Sequence, residues 1–372
     1  LRYLLKYFPN AVRFASERGR LPLHIICWYK KNVTLGMVQL LIDAYPDSVS
    51  HETNRSGWIP LHFLCRNKNL DDEVGLEILK LFLERYPESA RHAAAGGKLP
   101  IHLAAATQST EFCRRLIEAY PGSERIAASG NALLPIHFAC RYGTVETAQY
   151  LLRLYPESTN SNCDGAYPIH SAMGGLDTRT NPAIAAEMIQ FLLDSDSNVA
   201  LQKCHGKFPL AVMIEYASNN RNNASKLNAA MKILQLLYDA HPEAIEDDGI
   251  TSYVARLDLL IPEEIQAFIN TQLAYARQAR GYTVRQMKTR DENGQVPLHR
   301  ALRDNVTLGS IKLLAKRNPS VITCADNSGA MPLHLACQHH ESARVVEYLV
   351  GLDSDTLTIV DREGNTALHQ AC

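Results

Sequence analysis

A short motif recurs along the chain and limits its possible folds more than any other feature. Most copies read apolar residue, proline, leucine or isoleucine, histidine, and in the last copy threonine and alanine replace the first two. Within the intact runs, successive histidines are 33 residues apart at the closest (137 to 170) and 40 at the widest (62 to 102). Eight copies are intact, with histidines at His24, His62, His102, His137, His170, His299, His334 and His369.

Two eroded copies fill the long interval between His170 and His299. Ala211 and Val254 stand there at the histidine position. Self-similarity at a fixed period of this length is typical of a repeat architecture. The sequence therefore predicts about ten copies of one structural unit.

Each unit has the pattern of two helices. A glycine followed three residues later by proline predicts a tight turn and then a first helix with proline at its first position. A second stretch has leucines three and four apart and ends in proline, which predicts an amphipathic helix that must stop. Neither helix can bury its apolar side alone, so the units must stack into a solenoid. The second stretches end in Tyr-Pro at Tyr45, Tyr86, Tyr120 and Tyr155, whose rings we expect to pack over the next unit.

This unit resembles the ankyrin repeat, and the resemblance covers nearly the whole chain. It rests on Gly-x-x-Pro-Leu-His-x-Ala-Cys, repeated about every 35 residues and followed by a leucine-rich helix. The resemblance implies an all-α, helix-turn-helix solenoid of about ten repeats with short hairpin or turn loops. The threonine that usually precedes Pro-Leu-His survives only as Thr366. The hydroxyl–imidazole bond that the family implies is therefore not expected as a general feature.

The regularity of the repeats divides the chain into three parts. We expect regular repeats in residues 1–170, degenerate repeats with insertions in residues 171–290, and regular repeats in residues 291–372. Gly174 to Pro182 and Asn219 to Ser225 are predicted to be flexible insertions, and the irregular part is a candidate hinge. Because the chain starts without methionine and ends inside a motif, we expect it to be a piece of a longer protein.

Composition excludes several functional classes. The 372 residues include 38 Lys plus Arg against 39 Asp plus Glu, so a general nucleic-acid binder is not expected. No run approaches the roughly 18 consecutive apolar residues that a membrane span requires. The nine cysteines form no Cys-x-x-Cys pair, which is typical of buried free thiols in a reducing compartment. We therefore expect an intracellular, cytoplasmic protein, with the nucleus as an open alternative.

A His-x-x-Cys pair recurs once per repeat and could suggest a metal site or a nucleophile. Because the pairs are a full repeat apart, no site collects four ligands, and packing is the favoured interpretation. We expect these histidines to bond to neighbouring backbone. No phosphate loop or hydrolase motif occurs, so we expect no enzyme activity, no catalytic residue, no metal and no cofactor in this segment. The pairs are His24/Cys27, His62/Cys65, His137/Cys140, His334/Cys337 and His369/Cys372.

The resemblance also implies where partners bind. In this family they are held on the concave face, by turn residues near the glycine and by exposed residues after the first helix. This selects Arg18, Arg20, Trp28, Tyr29, Arg55, Trp58, Arg66, Asn67, Arg141 and Tyr142, with Glu17, Ser56, Lys98 and Thr107 beside them. Both tryptophans of the chain are in the set, and Trp, Tyr and Arg dominate binding energy at interfaces. The alternative is that the tryptophans pack under neighbouring hairpins.

The expected function is that of a non-catalytic scaffold that binds a protein partner of unknown identity. The alternative is a substrate-recruiting or regulatory arm of a larger enzyme or signalling protein whose catalytic domain lies outside this segment. Residues 266–290 carry five basic residues and no acidic one, which suggests a weaker contact with an acidic partner or phospholipid. A solvated helix face is the commoner explanation. The basic residues are Arg277, Arg280, Arg285, Lys288 and Arg290.

Overall fold

The structure is a computed structural model that describes residues 1–29, 33–130, 132–247, 250–251, 261–281 and 284–371. Within these ranges the regular elements are α-helices and short 3-10 helices, with only isolated β-bridges. The predicted all-α helical repeat fold is confirmed. The chain forms two compact units, Leu1–His205 and Gly206–Cys372, called unit 1 and unit 2 below.

Unit 1 contains five repeats after a short N-terminal helix. In each repeat a first helix begins with the proline of the motif and a second helix follows. The helices are α1 Arg2–Tyr7, α2 Pro22–Tyr29, α3 Leu35–Ala44, α4 Pro60–Arg66, α5 Asp72–Arg85, α6 Pro100–Thr107, α7 Thr110–Ala119, α8 Pro135–Tyr142, α9 Val145–Leu154, α10 Pro168–Thr178 and α11 Ala183–Ser195.

Unit 2 has the same alternation in its described parts. Its helices are α12 Pro209–Asn219, α13 Ala224–Ala240, α14 Glu263–Gly281, α15 Val284–Met287, α16 Pro297–Arg303, α17 Leu308–Arg317, α18 Pro332–His339, α19 Ala343–Leu352 and α20 Ala367–Ala371. The predicted seventh motif around Gly249 and Val254 lies outside the described residues, as does Cys372.

Local sequence sets the limits of the second helices. In unit 1 the side chain of Asp71, Ser109 or Thr144 accepts a backbone N–H from the first turn of the helix that follows it. Such N-caps satisfy donors that the helix itself leaves free. At the other end the chain leaves the helix at a tyrosine, and the next proline starts a short 3-10 turn in most repeats.

Tyr120 and Tyr155, at the ends of α7 and α9, contact arginines from the preceding repeat. The guanidinium carbon of Arg91 lies 5.1 Å from the ring centre of Tyr120, and that of Arg125 lies 4.7 Å from the ring of Tyr155. Each arginine belongs to the 3-10 turn of one repeat and each tyrosine to the next repeat. These cation–π contacts therefore join consecutive repeats at their second-helix ends.

In several repeats the motif histidine joins its own repeat to the next. In His102, Nδ1 accepts the backbone N–H of Leu99 at 3.0 Å, so the ring proton lies on Nε2 and is donated to the carbonyl oxygen of Ile126 at 3.0 Å. His299 and His334 make the same pair of bonds in unit 2. The prediction that these histidines bond to backbone is confirmed, and both nitrogens of these rings are engaged.

Burial keeps the histidines neutral and the cysteines protonated. Desolvation lowers the pKa of His24, His62 and His102 to about 4, because burial penalises the charged imidazole. Burial likewise raises the pKa of the Cys113 and Cys140 thiols to about 12. Neither thiol is a ready nucleophile at neutral pH, since the reactive form is the thiolate.

The first predicted insertion is helical from Gly174 to Thr178, so that part of the prediction is wrong, whereas residues 220–223 of the second form the turn between α12 and α13. Gly174 and Gly175 lie within α10, Asn219 ends α12, and Ser225 lies within α13. A side chain at Gly175 would meet the carbonyl oxygen of Arg141 at 3.0 Å. The glycines therefore serve the close approach of one helix to the preceding repeat rather than loop formation.

Unit 2 contains a direct contact between helices whose motifs are two repeats apart. The carboxylate of Asp239 in α13 accepts the backbone N–H of Gly309 in α17 at 2.7 Å. The hydroxyl of Tyr238 lies 3.1 Å from Ser310 Oγ, which donates to Gln272 in α14 at 2.7 Å. The buried polar groups of three helices thus satisfy one another.

We predict opposite effects for the same substitution at two glycines. A Cβ added to Gly143 would collide with the carbonyl oxygen of Ala105, whereas one added to Gly36 in α3 meets nothing within 4 Å. Gly143→Ala should lower the free energy of unfolding by about 1–3 kcal/mol. Gly36→Ala should raise it by about 0.5–1 kcal/mol, because alanine favours helix. Urea unfolding followed by circular dichroism measures both, and an unchanged Gly143→Ala variant would contradict the close contact.

We predict that acid weakens the stack through its histidines. The pKa of His102 is about 4 in the folded chain and about 6.5 in the unfolded chain. The contribution of His102 to the free energy of unfolding is therefore complete above about pH 6.5 and is lost as the pH falls from about 6.5 toward about 4. The slope is about 1.4 kcal/mol per pH unit for each such histidine. Between about pH 6.5 and about pH 5, the free energy of unfolding of His102→Gln should fall less steeply with decreasing pH than that of the parent chain. The difference in slope should be up to about 1.4 kcal/mol per pH unit. Urea midpoints across this range measure the slope, and equal slopes for variant and parent would refute the assignment.

Candidate functional site

Half of the ten predicted binding residues line one groove on unit 1. Trp28, Trp58, Arg66, Asn67 and Tyr142 all border it. The groove has a volume of about 550 Å³ and runs across the first helices and hairpins of four consecutive repeats. We call it the tryptophan groove. Its other lining residues are Lys68, Asn69, Lys98, Leu103, Ala106, Thr107 and Phe138.

The two tryptophans share one aromatic neighbour. Phe63 lies between them, with its ring centre 5.2 Å from that of Trp28 and 5.2 Å from that of Trp58. Trp58 also stacks on His62 at 5.9 Å. Both tryptophans are half-buried, so they pack against the repeats and still present an edge to the groove. Their positions are therefore fixed before any partner arrives.

Arginines lie over the aromatic rings at the edge of the groove. The guanidinium carbon of Arg20 is 4.5 Å from the ring centre of Trp28, and that of Arg66 is 5.6 Å from Trp58. Arg141 lies 5.4 Å from the ring of Tyr142. Such stacking orders the guanidinium plane and leaves its N–H edge available for hydrogen bonds.

Asn67 has a different role from the predicted one. Its side chain is 2% exposed, and its amide donates to the carbonyl oxygen of Cys27 in the preceding repeat at 2.9 Å. Gln108 donates to the carbonyl oxygen of Asn67 at 2.9 Å in the same way. Asn67 borders the groove but serves to join repeats, so its prediction as an exposed contact residue is wrong. The reason is that a carbonyl at the end of the neighbouring first helix needs a donor.

The hairpin candidates lie outside the lining of the groove. Arg18 and Arg55 are exposed, and the carbonyl oxygen of Arg18 accepts the backbone N–H of Asn54 at 3.3 Å. Ser56 similarly accepts from the backbone of Ala95 at 2.9 Å. These bonds connect the hairpins of consecutive repeats.

Two further predicted residues need separate mention. Tyr29 ends α2, and its side chain lies outside the described part of the chain. Thr107 lines the groove while its hydroxyl donates to the carbonyl oxygen of Cys65. Thr107, like Asn67, therefore contributes to repeat stacking.

Sequence reasoning missed the apolar part of the groove. Leu103 and Phe138 each follow a repeated histidine, and Ala106 lies one turn beyond Leu103. Phe63, which supports both tryptophans, holds the same position after His62. The residue after each motif histidine is therefore the signal that would have found them. It was missed because an apolar residue there resembles ordinary core.

The basic stretch at residues 266–290 is partly neutralised in the fold. Arg280 forms an ion pair with Glu246, which precedes the stretch in sequence. Arg290 donates to the carbonyl oxygen of Gly294 at 3.1 Å. Arg277 and Lys288 are exposed, while the side chain of Arg285 lies outside the described residues. Contact of this stretch with an acidic partner or phospholipid stays a prediction.

Among the helices that the structure describes, none is both long and apolar enough to cross a membrane. Comparison with known families adds one finding. The family model of ankyrin repeats matches residues 72–162 in three copies. The matched segment runs from α5 through α9 and includes Lys98, Leu103, Phe138 and Tyr142 of the tryptophan groove. Repeats of this family generally serve as protein–protein interaction modules. Residues 72–162 are therefore ankyrin repeats, and the same motif and the same pairs of helices recur outside this segment in both units.

Proposed function

We propose that this chain is a non-catalytic scaffold that binds a protein partner in the tryptophan groove of unit 1. The observation that carries the proposal is the convergence of both tryptophans of the chain on one groove, beside Arg66 and Tyr142. Trp, Tyr and Arg are the residue types most often found to dominate interface energy. A groove of about 550 Å³ is large enough to hold several partner side chains.

Rigidity of the groove supports the proposal. Trp28 and Trp58 are braced by Phe63, and Thr107 and Asn67 bond to the backbone of neighbouring repeats. Ordering side chains on binding costs about 0.5–1.5 kcal/mol for each flexible one. A surface that is already ordered avoids much of that cost. The same groove would serve equally in a recruiting or regulatory arm of a larger protein.

We predict that truncating the aromatic residues of the groove abolishes partner capture. We compare two variants with the parent chain, Trp28→Ala/Trp58→Ala and the milder Arg66→Ala/Tyr142→Ala. Each should capture at least about tenfold less of the proteins that the parent chain captures from a lysate. The reason is that interface anchors of these types typically contribute about 2 kcal/mol or more. Quantitative mass spectrometry of the captured proteins makes the measurement, and circular dichroism reports folding.

Phe14→Ala is the matched control. Phe14 is aromatic, 75% exposed and outside the groove. Its loss should leave capture unchanged. Equal capture by the parent, the control and both groove variants, all of them folded, would refute binding in the groove.

A further inference from the structure

We propose that the occupant of the tryptophan groove is an acidic segment of a protein partner, with carboxylate side chains flanking an apolar one. This inference rests on the proposed function and specifies the chemistry of the partner. It is carried by the charge of the groove, by the turns of the neighbouring hairpins and by the apolar lining between the cations.

Positive charge is concentrated in the hairpin and first-helix segments of unit 1. Residues 53–70, 93–110 and 126–145 contain no aspartate or glutamate. Most acidic residues of unit 1 lie in the second helices and the 3-10 turns that follow them, and α5 begins with Asp72 and Glu73 after its cap Asp71. The chain as a whole has a net charge of -1, so this is a segregation of charge and not an overall excess. The cations of the three acid-free segments are Arg55, Arg66, Lys68, Lys98 and Arg141.

Within the described ranges of the chain, these cations form no ion pair with a carboxylate. Among the described residues, no carboxylate oxygen lies within 4.0 Å of the charged nitrogens of Arg66, Lys98 or Arg141. Surface cations elsewhere in unit 1 do form such pairs, as Arg85 does with Asp43 at 3.3 Å. The groove therefore presents positive charge to whatever enters it.

Two hairpin turns of unit 2 are closed by a carboxylate, whereas two turns of unit 1 are closed by a hydroxyl. In unit 2 the carboxylate of Asp291 accepts the backbone N–H of Gln295 at 2.8 Å, and that of Asp326 accepts from Ala330 at 3.0 Å. In unit 1 the hydroxyl of Ser16 accepts from Arg20 at 3.2 Å and that of Thr53 from Trp58 at 3.0 Å. The same turn is thus closed by a neutral hydroxyl. The hairpin of Thr53 therefore keeps the turn without a negative charge, whereas Glu17 lies in the hairpin of Ser16.

The lining of the groove matches an alternation of charged and apolar side chains. Arg66 and Lys98 border an apolar stretch of Leu103, Ala106 and Phe138. A carboxylate on each side of a leucine or phenylalanine would meet the cations while the apolar side chain covers this stretch. Charge-assisted hydrogen bonds from guanidinium to carboxylate are among the stronger polar contacts in proteins.

The same features argue against a single-stranded nucleic acid. Such ligands stack their bases on exposed aromatic faces. Here Arg20 lies over Trp28, while Arg66 and His62 lie against Trp58, so these ring faces are already in contact with side chains. The acidic second helices would also repel a long phosphate backbone.

The test uses the full chain and a displayed library of random twelve-residue peptides that lack tryptophan. Selected peptides should be enriched at least about twofold in Asp plus Glu over the input library. Enrichment should disappear when selection is repeated on Arg66→Gln/Lys98→Gln. It should persist on the control Lys80→Gln/Arg85→Gln, which removes the same charges from α5.

Tryptophan emission then locates the binding, because both tryptophans line the groove. The most enriched peptide should change the emission, bind at least about tenfold more weakly to Arg66→Gln/Lys98→Gln, and lose affinity as salt is raised. A neutral copy of the peptide, with asparagine for every aspartate and glutamine for every glutamate, should bind at least about tenfold more weakly.

Three outcomes would overturn the proposal, and they are distinguishable from failure of the proposed function. If the selected peptides were not enriched in acidic residues, or if the neutral copy bound as tightly as the acidic peptide, an acidic occupant would be refuted. A change in tryptophan emission in the same experiment would still show that a peptide binds in the groove. Tighter binding of oligothymidylate than of any selected peptide would indicate nucleic acid instead. Peptides that bind without changing the emission would refute binding in the groove itself.

Discussion

The bonds that buried imidazoles such as that of His102 make to the next repeat are the interaction on which the stack depends. In His102 one nitrogen accepts a backbone N–H at the start of its own helix, and the other donates to a carbonyl of the following repeat. Because burial lowers the imidazole pKa to about 4, the ring stays in the neutral form that can do both. A lysine or a charged histidine could not supply the acceptor.

Other buried or half-buried side chains also bond to the backbone of the preceding repeat. Asn67 and Arg179 donate to carbonyl oxygens that end the first helix of the preceding repeat. Since backbone-directed bonds from buried residues hold the repeats together, the exposed residues of the first helices are not needed for stacking. The proposed role of Arg66 and Lys98 in the groove is therefore compatible with the way the repeats are joined.

Much of the fold was predictable because it follows from local rules repeated many times. Proline, glycine and histidine at constant offsets predict the first helices, and leucine spacing with a final Tyr-Pro predicts the second. The exceptions have identifiable causes. Gly174 and Gly175 look like loop residues, but they lie in α10 because the helix passes close to the Arg141 carbonyl. Asn67 looks like a surface residue, but the Cys27 carbonyl of another repeat engages it.

The sequence by itself determined the repeat, the helix limits and the burial of histidine and cysteine, because each depends on residues close together in the chain. Only the tertiary structure decided that Trp28 and Trp58 meet on either side of Phe63, and that Asp239 caps a helix beginning at Leu308. These contacts join different repeats. They depend on how far each helix is shifted and rotated against its neighbour, and that geometry is set by side-chain packing across the whole stack.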